Sequence, residues 1–168
     1  VSVQRIYAHR SIARQLAEKL AAAAKQLKVG DPVSADTEVG PIIKKSELTR
    51  IDNWVKEAID AGAECLCGAK ALDDNCYAPT VLFNPPADAK VTTSEVFGPV
   101  VNVYPFDDVD NALAAANRPK PRLRALRVLA RRGRRIFADM FKTPDGVMRW
   151  RYSAQRPWQQ SRGTAQQE

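Results

Sequence analysis

Two side chains in the middle of the chain have types and a spacing that suit binding of a sugar and a flat ring. Glu95 and Phe97 lie two residues apart, directly ahead of Gly98 and Pro99, which favour a tight bend. Residues two apart in an extended backbone point to the same side, so both side chains would face one ligand. A carboxylate accepts hydrogen bonds from diol hydroxyls, and an aromatic ring stacks against a flat ring. Glu95 and Phe97 are therefore candidate binding residues.

A purely structural role is the alternative interpretation of this pair. In that interpretation Glu95 is an ordinary exposed carboxylate, and Phe97 belongs to the hydrophobic core. The spacing of the two residues is compatible with either interpretation.

The three cysteines, Cys65, Cys67 and Cys76, are the other residues with possible chemistry. Zinc sites usually combine C-x2-C pairs with further Cys or His ligands, whereas this chain has C-x-C-x8-C and a single distant histidine, His9. The sequence places no base or cationic group beside Cys65 or Cys67 that would activate a thiol. We therefore expect buried or half-buried thiols, no metal site, no catalytic cysteine and a reducing, cytoplasmic compartment.

Alternating strand and helix patterns form the framework for these residues. Apolar spacing predicts a helix capped by Ser11 with Gly30 at its C-terminal end, a second helix that stops at Gly62, and a third that starts at Asp107 or Asp108. Extended runs predict four strands, around residues 3–7, Glu64–Cys67, Thr80–Phe83 and Val100–Phe106.

The alternation predicts an α/β fold, with a partial doubly wound, mostly parallel sheet and flanking helices. Parallel sheets need cover on both faces. Three helices and four short strands provide little cover, so we expect the sheet to be incomplete. No run approaches the roughly 20 apolar residues of a membrane span, so no membrane partner is expected.

The distribution of charge divides the chain after residue 117. Residues 1–117 contain 12 basic and 16 acidic residues, whereas residues 118–168 contain 14 basic and 3 acidic residues. This reversal predicts two parts, an α/β part over residues 1–117 and a basic Arg/Pro-rich tail over residues 118–168. We expect the tail to be poorly ordered, irregular or partly helical.

The basic tail supports an alternative function, the binding of nucleic acid. Trp150, Tyr152 and Trp158 alternate with arginines that could contact phosphates while the rings stack on unpaired bases. Against this hypothesis, the chain contains no known nucleic-acid-binding motif. A shifted reading frame in GC-rich DNA would produce the same excess of arginine.

Four motifs occur in order along residues 1–117: VSVQRIY at 1–7, GDP at 30–32 followed by DTEVGP at 36–41, APTVL at 78–82, and EVFGPVV at 95–101. The last resembles the E-x-F-G-P-V element of the NAD(P)-dependent aldehyde dehydrogenase superfamily, and the first resembles the segment immediately after its catalytic cysteine. The other two resemble the G-D-P…D-T-x-x-G-P loop and the x-P-T-V-L strand of that superfamily. Within it, the chain is most similar to the lactaldehyde-like or glyceraldehyde-like members.

The resemblance implies that Glu95 holds the nicotinamide ribose hydroxyls and that Phe97 packs beside the nicotinamide ring. In the family, a cysteine thiolate attacks the aldehyde, hydride leaves the thiohemiacetal for NAD(P)⁺, and a glutamate-activated water hydrolyses the thioester. The nucleophile would lie just before Val1, and the base and the Rossmann domain farther upstream. We therefore expect cofactor-binding residues here, but no catalytic residue.

For the chain as a whole, the resemblance implies a fragment of an aldehyde dehydrogenase. Its parent enzyme would use NAD or NADP and an aldehyde substrate, and the family forms homo-oligomers, although the sequence leaves the assembly of this chain open. Two charge-assisted hydrogen bonds of ~1.5–3 kcal/mol each do not offset an association cost of ~4–15 kcal/mol. We therefore expect the chain alone to be inactive and to bind neither cofactor.

Overall fold

The computed structural model of the protein describes residues 3–117, 125–131, 134–142 and 148–153. Residues 3–117 form four strands and four helices: β1 (Arg5–His9), α1 (Arg10–Ala24), α2 (Lys45–Asp60), β2 (Glu64–Cys67), β3 (Thr80–Phe83), α3 (Lys90–Thr93), β4 (Val100–Phe106) and α4 (Val109–Asn117). The strands lie side by side in the order β2-β3-β4-β1. Strands β3, β4 and β1 are parallel, and β2 is antiparallel to β3. The predicted α/β fold with a mostly parallel sheet is confirmed.

The helices cover both faces of the sheet, because alternate residues of each strand point to opposite faces. In β1, Ile6 packs in a cluster with α1, whereas Tyr7 packs in a cluster with α4. In β3, Val81 belongs to the α1 cluster and Leu82 to the cluster around α2. Helix α1 therefore covers one face, and α2 and α4 cover the other.

Helix α1 differs from its prediction at both ends. Its cap is His9 rather than Ser11, because the Nδ1 atom of His9 accepts a hydrogen bond of 3.3 Å from the Ser11 amide. The helix ends at Ala24, well before Gly30. The Gly30 amide instead donates to the Val39 carbonyl at 3.1 Å, so Gly30 belongs to the loop that follows.

The boundaries of two other helices agree with the sequence predictions. Gly62 follows α2 with a φ of +105°, a conformation that costs glycine little. Helix α4 begins after Asp108, whose Oδ1 accepts a hydrogen bond of 2.9 Å from the Asn111 amide. Asp108, rather than Asp107, is therefore the cap.

Beyond residue 117 the structure differs from the prediction of an irregular or partly helical tail. Strand β5 (Ala125–Arg131) pairs in parallel with β1, and β6 (Arg134–Lys142) and β7 (Met148–Ser153) continue the sheet in antiparallel order. The sequence of β5 is apolar except at Arg127 and Arg131, so it has no period of two that would have predicted this strand. Trp158, one of the rings in the nucleic-acid hypothesis, lies outside the described residues.

Candidate functional site

Glu95 and Phe97 lie in the loop between α3 and β4, at the edge of the sheet where the parallel strands begin. The Thr80 amide donates a hydrogen bond of 2.8 Å to the Pro99 carbonyl, which ties this loop to the first residue of β3. Val100, the next residue, begins β4. The loop is thus attached to two neighbouring parallel strands at their amino ends.

The two candidate side chains are both exposed. Glu95 is exposed, Val96 is 6% exposed, and Phe97 is 68% exposed, so the side chains alternate between solvent and core. This alternation agrees with the expectation that Glu95 and Phe97 face the same side. The part of the alternative interpretation that places Phe97 in the core is wrong, because Val96 takes the inward position in this loop. The exposed Glu95 agrees with both interpretations.

The Glu95 carboxylate is available to a ligand. Within residues 3–117, no hydrogen bond or ion pair engages it. An exposed carboxylate with open acceptor sites fits the hydroxyl donors of a ribose, and the exposed ring of Phe97 fits a flat heterocycle. The two side chains therefore offer hydrogen-bond acceptors and a ring to a ligand on one side of the loop.

Gln4 is the main residue of this site that sequence reasoning missed. It is 5% exposed, and its side chain makes three hydrogen bonds of 2.8 Å to the segment that leads into the loop. Its Nε2 donates to the carbonyls of Val91 and Ser94, and its Oε1 accepts from the Val96 amide. Gln4 falls within the extended run predicted for residues 3–7, and a polar side chain between the apolar Val3 and Ile6 of that run is the signal that could have identified it.

Asn102 supports the same segment from β4. It is fully buried, and its Nδ2 donates a hydrogen bond of 2.7 Å to the Val91 carbonyl. The Asn102 amide also donates to the Gln4 carbonyl at 2.8 Å. Val91 is thus held by the Asn102 side chain in β4 and by the Gln4 side chain just before β1.

The cysteines are poor nucleophiles in this fold. Cys67 and Cys76 are buried, Cys65 is half-buried, and burial raises the pKa of all three thiols above 9.0. The neutral thiol therefore predominates near pH 7. Within the part of the chain that the structure describes, no group of three or more His, Cys, Asp or Glu side chains could hold a metal ion.

A separate groove lies on the face of the sheet that α4 covers. It has a volume of about 670 Å³, and the side chains of Tyr7, Thr92 and Tyr104 are among those that line it. The rings of Tyr7 and Tyr104 stack with their centroids 5.0 Å apart. Neither Glu95 nor Phe97 lines the groove, so the candidate site is an open surface of the loop rather than this cavity.

The model of the aldehyde dehydrogenase family matches residues 1–137 of this chain. The chain belongs to the aldehyde dehydrogenase family. The match to the family model extends 20 residues past position 117, and the division of the chain at that position remains a prediction.

Curated aldehyde dehydrogenases include clear relatives of this segment. The 3-sulfolactaldehyde dehydrogenase of Priestia megaterium is 40% identical over 117 residues, which are 70% of this chain and 24% of the relative. The NAD(+)-dependent benzaldehyde dehydrogenase of Pseudomonas putida is 40% identical over 109 residues, which are 65% of this chain and 22% of the relative. The chain thus spans about a quarter of the length of the curated aldehyde dehydrogenases that it matches.

A solved aldehyde dehydrogenase structure shows the same fold. The structure of lactaldehyde dehydrogenase from Escherichia coli superimposes with a TM-score of 0.65 and 30% identity, over 69% of this chain and 25% of that chain. No finding supports the nucleic-acid alternative. In the described part of the chain, no helix has the length and apolar character that a membrane crossing requires.

Proposed function

We propose that this aldehyde dehydrogenase segment supplies the wall of an active site that faces the nicotinamide of NAD or NADP. The parent reaction is the oxidation of an aldehyde to a carboxylic acid through a cysteine thiohemiacetal. One observation carries the proposal: the Glu95 carboxylate, which no residue of 3–117 engages, and the 68% exposed ring of Phe97 project from a loop that is attached to the starts of β3 and β4. Because Glu95 and Phe97 lie two residues apart on one side of this loop, a single ligand could contact both side chains.

Each residue has one task in this proposal. When bound, NAD(P)⁺ supplies the acceptor of the hydride. The Glu95 carboxylate accepts hydrogen bonds from the ribose hydroxyls and fixes the sugar, and the Phe97 ring packs beside the nicotinamide and excludes water from that side. Gly98 lets the loop pack closely on α2, because a Cβ atom at that position would lie 2.8 Å from Cδ1 of Ile51.

The chain alone does not bind the cofactor in this proposal. Two hydrogen bonds and one ring contact leave the phosphates of a dinucleotide without protein partners, whereas those groups usually bind at a helix N-terminus. Calorimetric titration of the full chain with NAD⁺ and with NADP⁺ is therefore expected to show no saturation below about 1 mM. Saturation at lower concentrations would show that the chain contains a complete site.

A chimera tests the positive part of the proposal. The matched segment of this chain replaces the corresponding segment of the Pseudomonas putida benzaldehyde dehydrogenase, and reduction of NAD⁺ by benzaldehyde is followed by absorbance. We expect the chimera to be active, and Glu95→Gln in the chimera to raise the KM for NAD⁺ about tenfold to a hundredfold, as expected for loss of charge-assisted hydrogen bonds.

The matched control for this variant is Asp60→Asn, which neutralises an exposed carboxylate at the end of α2. It should leave the KM for NAD⁺ unchanged. Circular dichroism and thermal melting of each chimera verify that it folds. A folded, active chimera in which Glu95→Gln behaves like Asp60→Asn would refute the role of Glu95.

A further inference from the structure

We propose that Gln4 is a positioning residue that fixes the Glu95–Phe97 pair relative to the start of β1. This inference rests on the proposed function, because it concerns the loop that would face the nicotinamide. The buried side-chain amide of Gln4 joins the loop that contains Glu95 and Phe97 to the segment just before β1.

The hydrogen bonds of Gln4 span the segment that contains Glu95. Its Nε2 donates to the carbonyl of Ser94, the residue before Glu95, and its Oε1 accepts from the amide of Val96, the residue after it. Each bond is 2.8 Å long. The peptide units on both sides of Glu95 are therefore held by a single side chain, which determines where the carboxylate projects.

No other side chain in the described part of the structure makes these two contacts. The Ser94 carbonyl and the Val96 amide each have Gln4 as their only hydrogen-bond partner among the described residues. Gln4 is 5% exposed, so water does not readily replace it. Loss of its amide would leave the buried Val96 amide and the part-buried Ser94 carbonyl without this partner, and an unsatisfied buried group is the costly way to remove a hydrogen bond.

Asn102 shows which part of this network is specific to Gln4. Both side chains donate to the Val91 carbonyl, at 2.8 Å from Gln4 and 2.7 Å from Asn102. Only Gln4 continues to Ser94 and Val96. Asn102 thus anchors α3, whereas Gln4 anchors α3 and also the loop that follows it.

The location of Gln4 in the chain gives this contact its functional meaning. Gln4 directly precedes β1, and the Glu95–Phe97 loop directly precedes β4, the parallel neighbour of β1. In the proposed function, Gln4 therefore fixes the loop that holds the nicotinamide ribose relative to the start of the neighbouring strand. Correct relative placement of reacting groups is a large part of enzymatic rate enhancement.

Amide hydrogen exchange at Val96 in the full chain tests the proposal without a cofactor. Wild type, Gln4→Met, Gln4→Glu and Asn102→Leu are compared by NMR, and urea unfolding of each variant gives the correction for global stability. In Gln4→Met, which has similar length and no amide, we expect the corrected exchange rate of Val96 to rise about tenfold or more, as expected for loss of its hydrogen bond.

The other two variants separate positioning from general destabilisation. Gln4→Glu retains an acceptor for the Val96 amide, so the corrected protection of Val96 should recover even if the protein is less stable. Asn102→Leu should destabilise the protein but leave the corrected exchange at Val96 unchanged. The proposal fails if Gln4→Met leaves Val96 protected, or if Asn102→Leu exposes Val96 equally.

The chimera with benzaldehyde dehydrogenase adds a functional measurement. There, Gln4→Met should raise the KM for NAD⁺ and leave the KM for benzaldehyde unchanged, and equal effects on both would contradict a role in positioning the loop. An inactive but folded chimera would refute the proposed function. The exchange measurement at Val96 would still test the role of Gln4 in holding the loop. An active chimera with unchanged exchange at Val96 in Gln4→Met would refute the role of Gln4 alone.

Discussion

The hydroxyl oxygens of Thr92 and Tyr104 lie 2.8 Å apart in the buried region where α3 packs against β4. The Thr92 hydroxyl donates its proton to the Pro86 carbonyl at 2.7 Å, so Tyr104 donates to Thr92. Burial raises the pKa of Tyr104, which favours the neutral phenol that this bond requires. The pair therefore attaches α3 to β4 through Thr92, the residue after Val91, which Gln4 and Asn102 hold.

A double-mutant cycle on Thr92→Val and Tyr104→Phe tests this connection. Each single change should lower the free energy of unfolding by about 1–3 kcal/mol, because it leaves a buried polar group without its partner. The double variant should be less destabilised than the sum of the two, with a coupling of about 0.5–3 kcal/mol, as for residues in direct contact. Urea unfolding gives the four values.

Thr49→Val is the control for this cycle, because its exposed hydroxyl bonds only to its own helix. It should change the free energy of unfolding by less than about 0.5 kcal/mol, as is usual at the surface. Strict additivity of Thr92→Val and Tyr104→Phe would show that the two hydroxyls do not interact.

Gly98→Ala should destabilise the protein by about 1–3 kcal/mol through overpacking. A Cβ atom at this position would lie 2.8 Å from Cδ1 of Ile51, which is fully buried. Gly40→Ala is the matched control, because its Cβ would meet only Pro32 at an ordinary 3.8 Å. Thermal or urea unfolding of both variants gives the comparison, and equal stabilities would contradict tight packing of the loop on α2.

Tyr77 should make the protein less stable in alkaline solution. It is fully buried and donates a hydrogen bond of 3.3 Å to Oδ1 of Asp52, and burial together with the Asp52 charge raises its pKa above 10.0. Above pH 10.0 Tyr77 loses its phenolic proton in the unfolded chain but retains it in the folded chain, because its pKa is higher in the folded state. Stability contributed by this group is therefore complete below pH 10.0 and declines as the pH rises further.

Tyr77→Phe removes this contribution to the pH dependence. Wild type should lose up to about 1.4 kcal/mol more stability per pH unit above pH 10 than the variant does. Urea unfolding of both proteins at about pH 8 and about pH 11 checks the difference. Equal losses in the two proteins would show that Tyr77 titrates normally in the folded state.

Cys65 should be the first of Cys65, Cys67 and Cys76 to react with a thiol reagent in the folded protein. It is half-buried, whereas the other two are buried, and burial raises the pKa of its thiol above 9.0. Its reaction should be slow near pH 7 and accelerate as the pH approaches 9, because the thiolate is the reactive form. Absorbance with an aromatic disulfide reagent measures the rate.

Cys65→Ser should abolish this first phase, while Cys67 and Cys76 react only when the protein is unfolded in urea. Rapid reaction of any of the three near pH 7 in the folded wild-type protein would contradict the protection inferred from burial.

Much of the framework was predictable because its signals are local. The apolar stripe of α2, the apolar strands β3 and β4, and the stop at Gly62 each depend on residues a few positions apart, and all agree with the structure. The family motifs are likewise contiguous runs. That Glu95 and Phe97 share one side was also expected, since alternation along an extended backbone is a local property, whereas the exposure of Phe97 was not determined by the spacing.

Tertiary structure decided which residues hold the candidate site and where the sheet ends. Gln4 and Val96 are 92 positions apart in the sequence. No local pattern predicts that the side chain of Gln4 bonds to the backbone of Val96. Helix α1 ends at Ala24, and Gly30 instead pairs with Val39, nine positions farther along the chain. The extended form of residues 125–131 depends on a free edge of β1, a partner that exists only once the sheet has assembled.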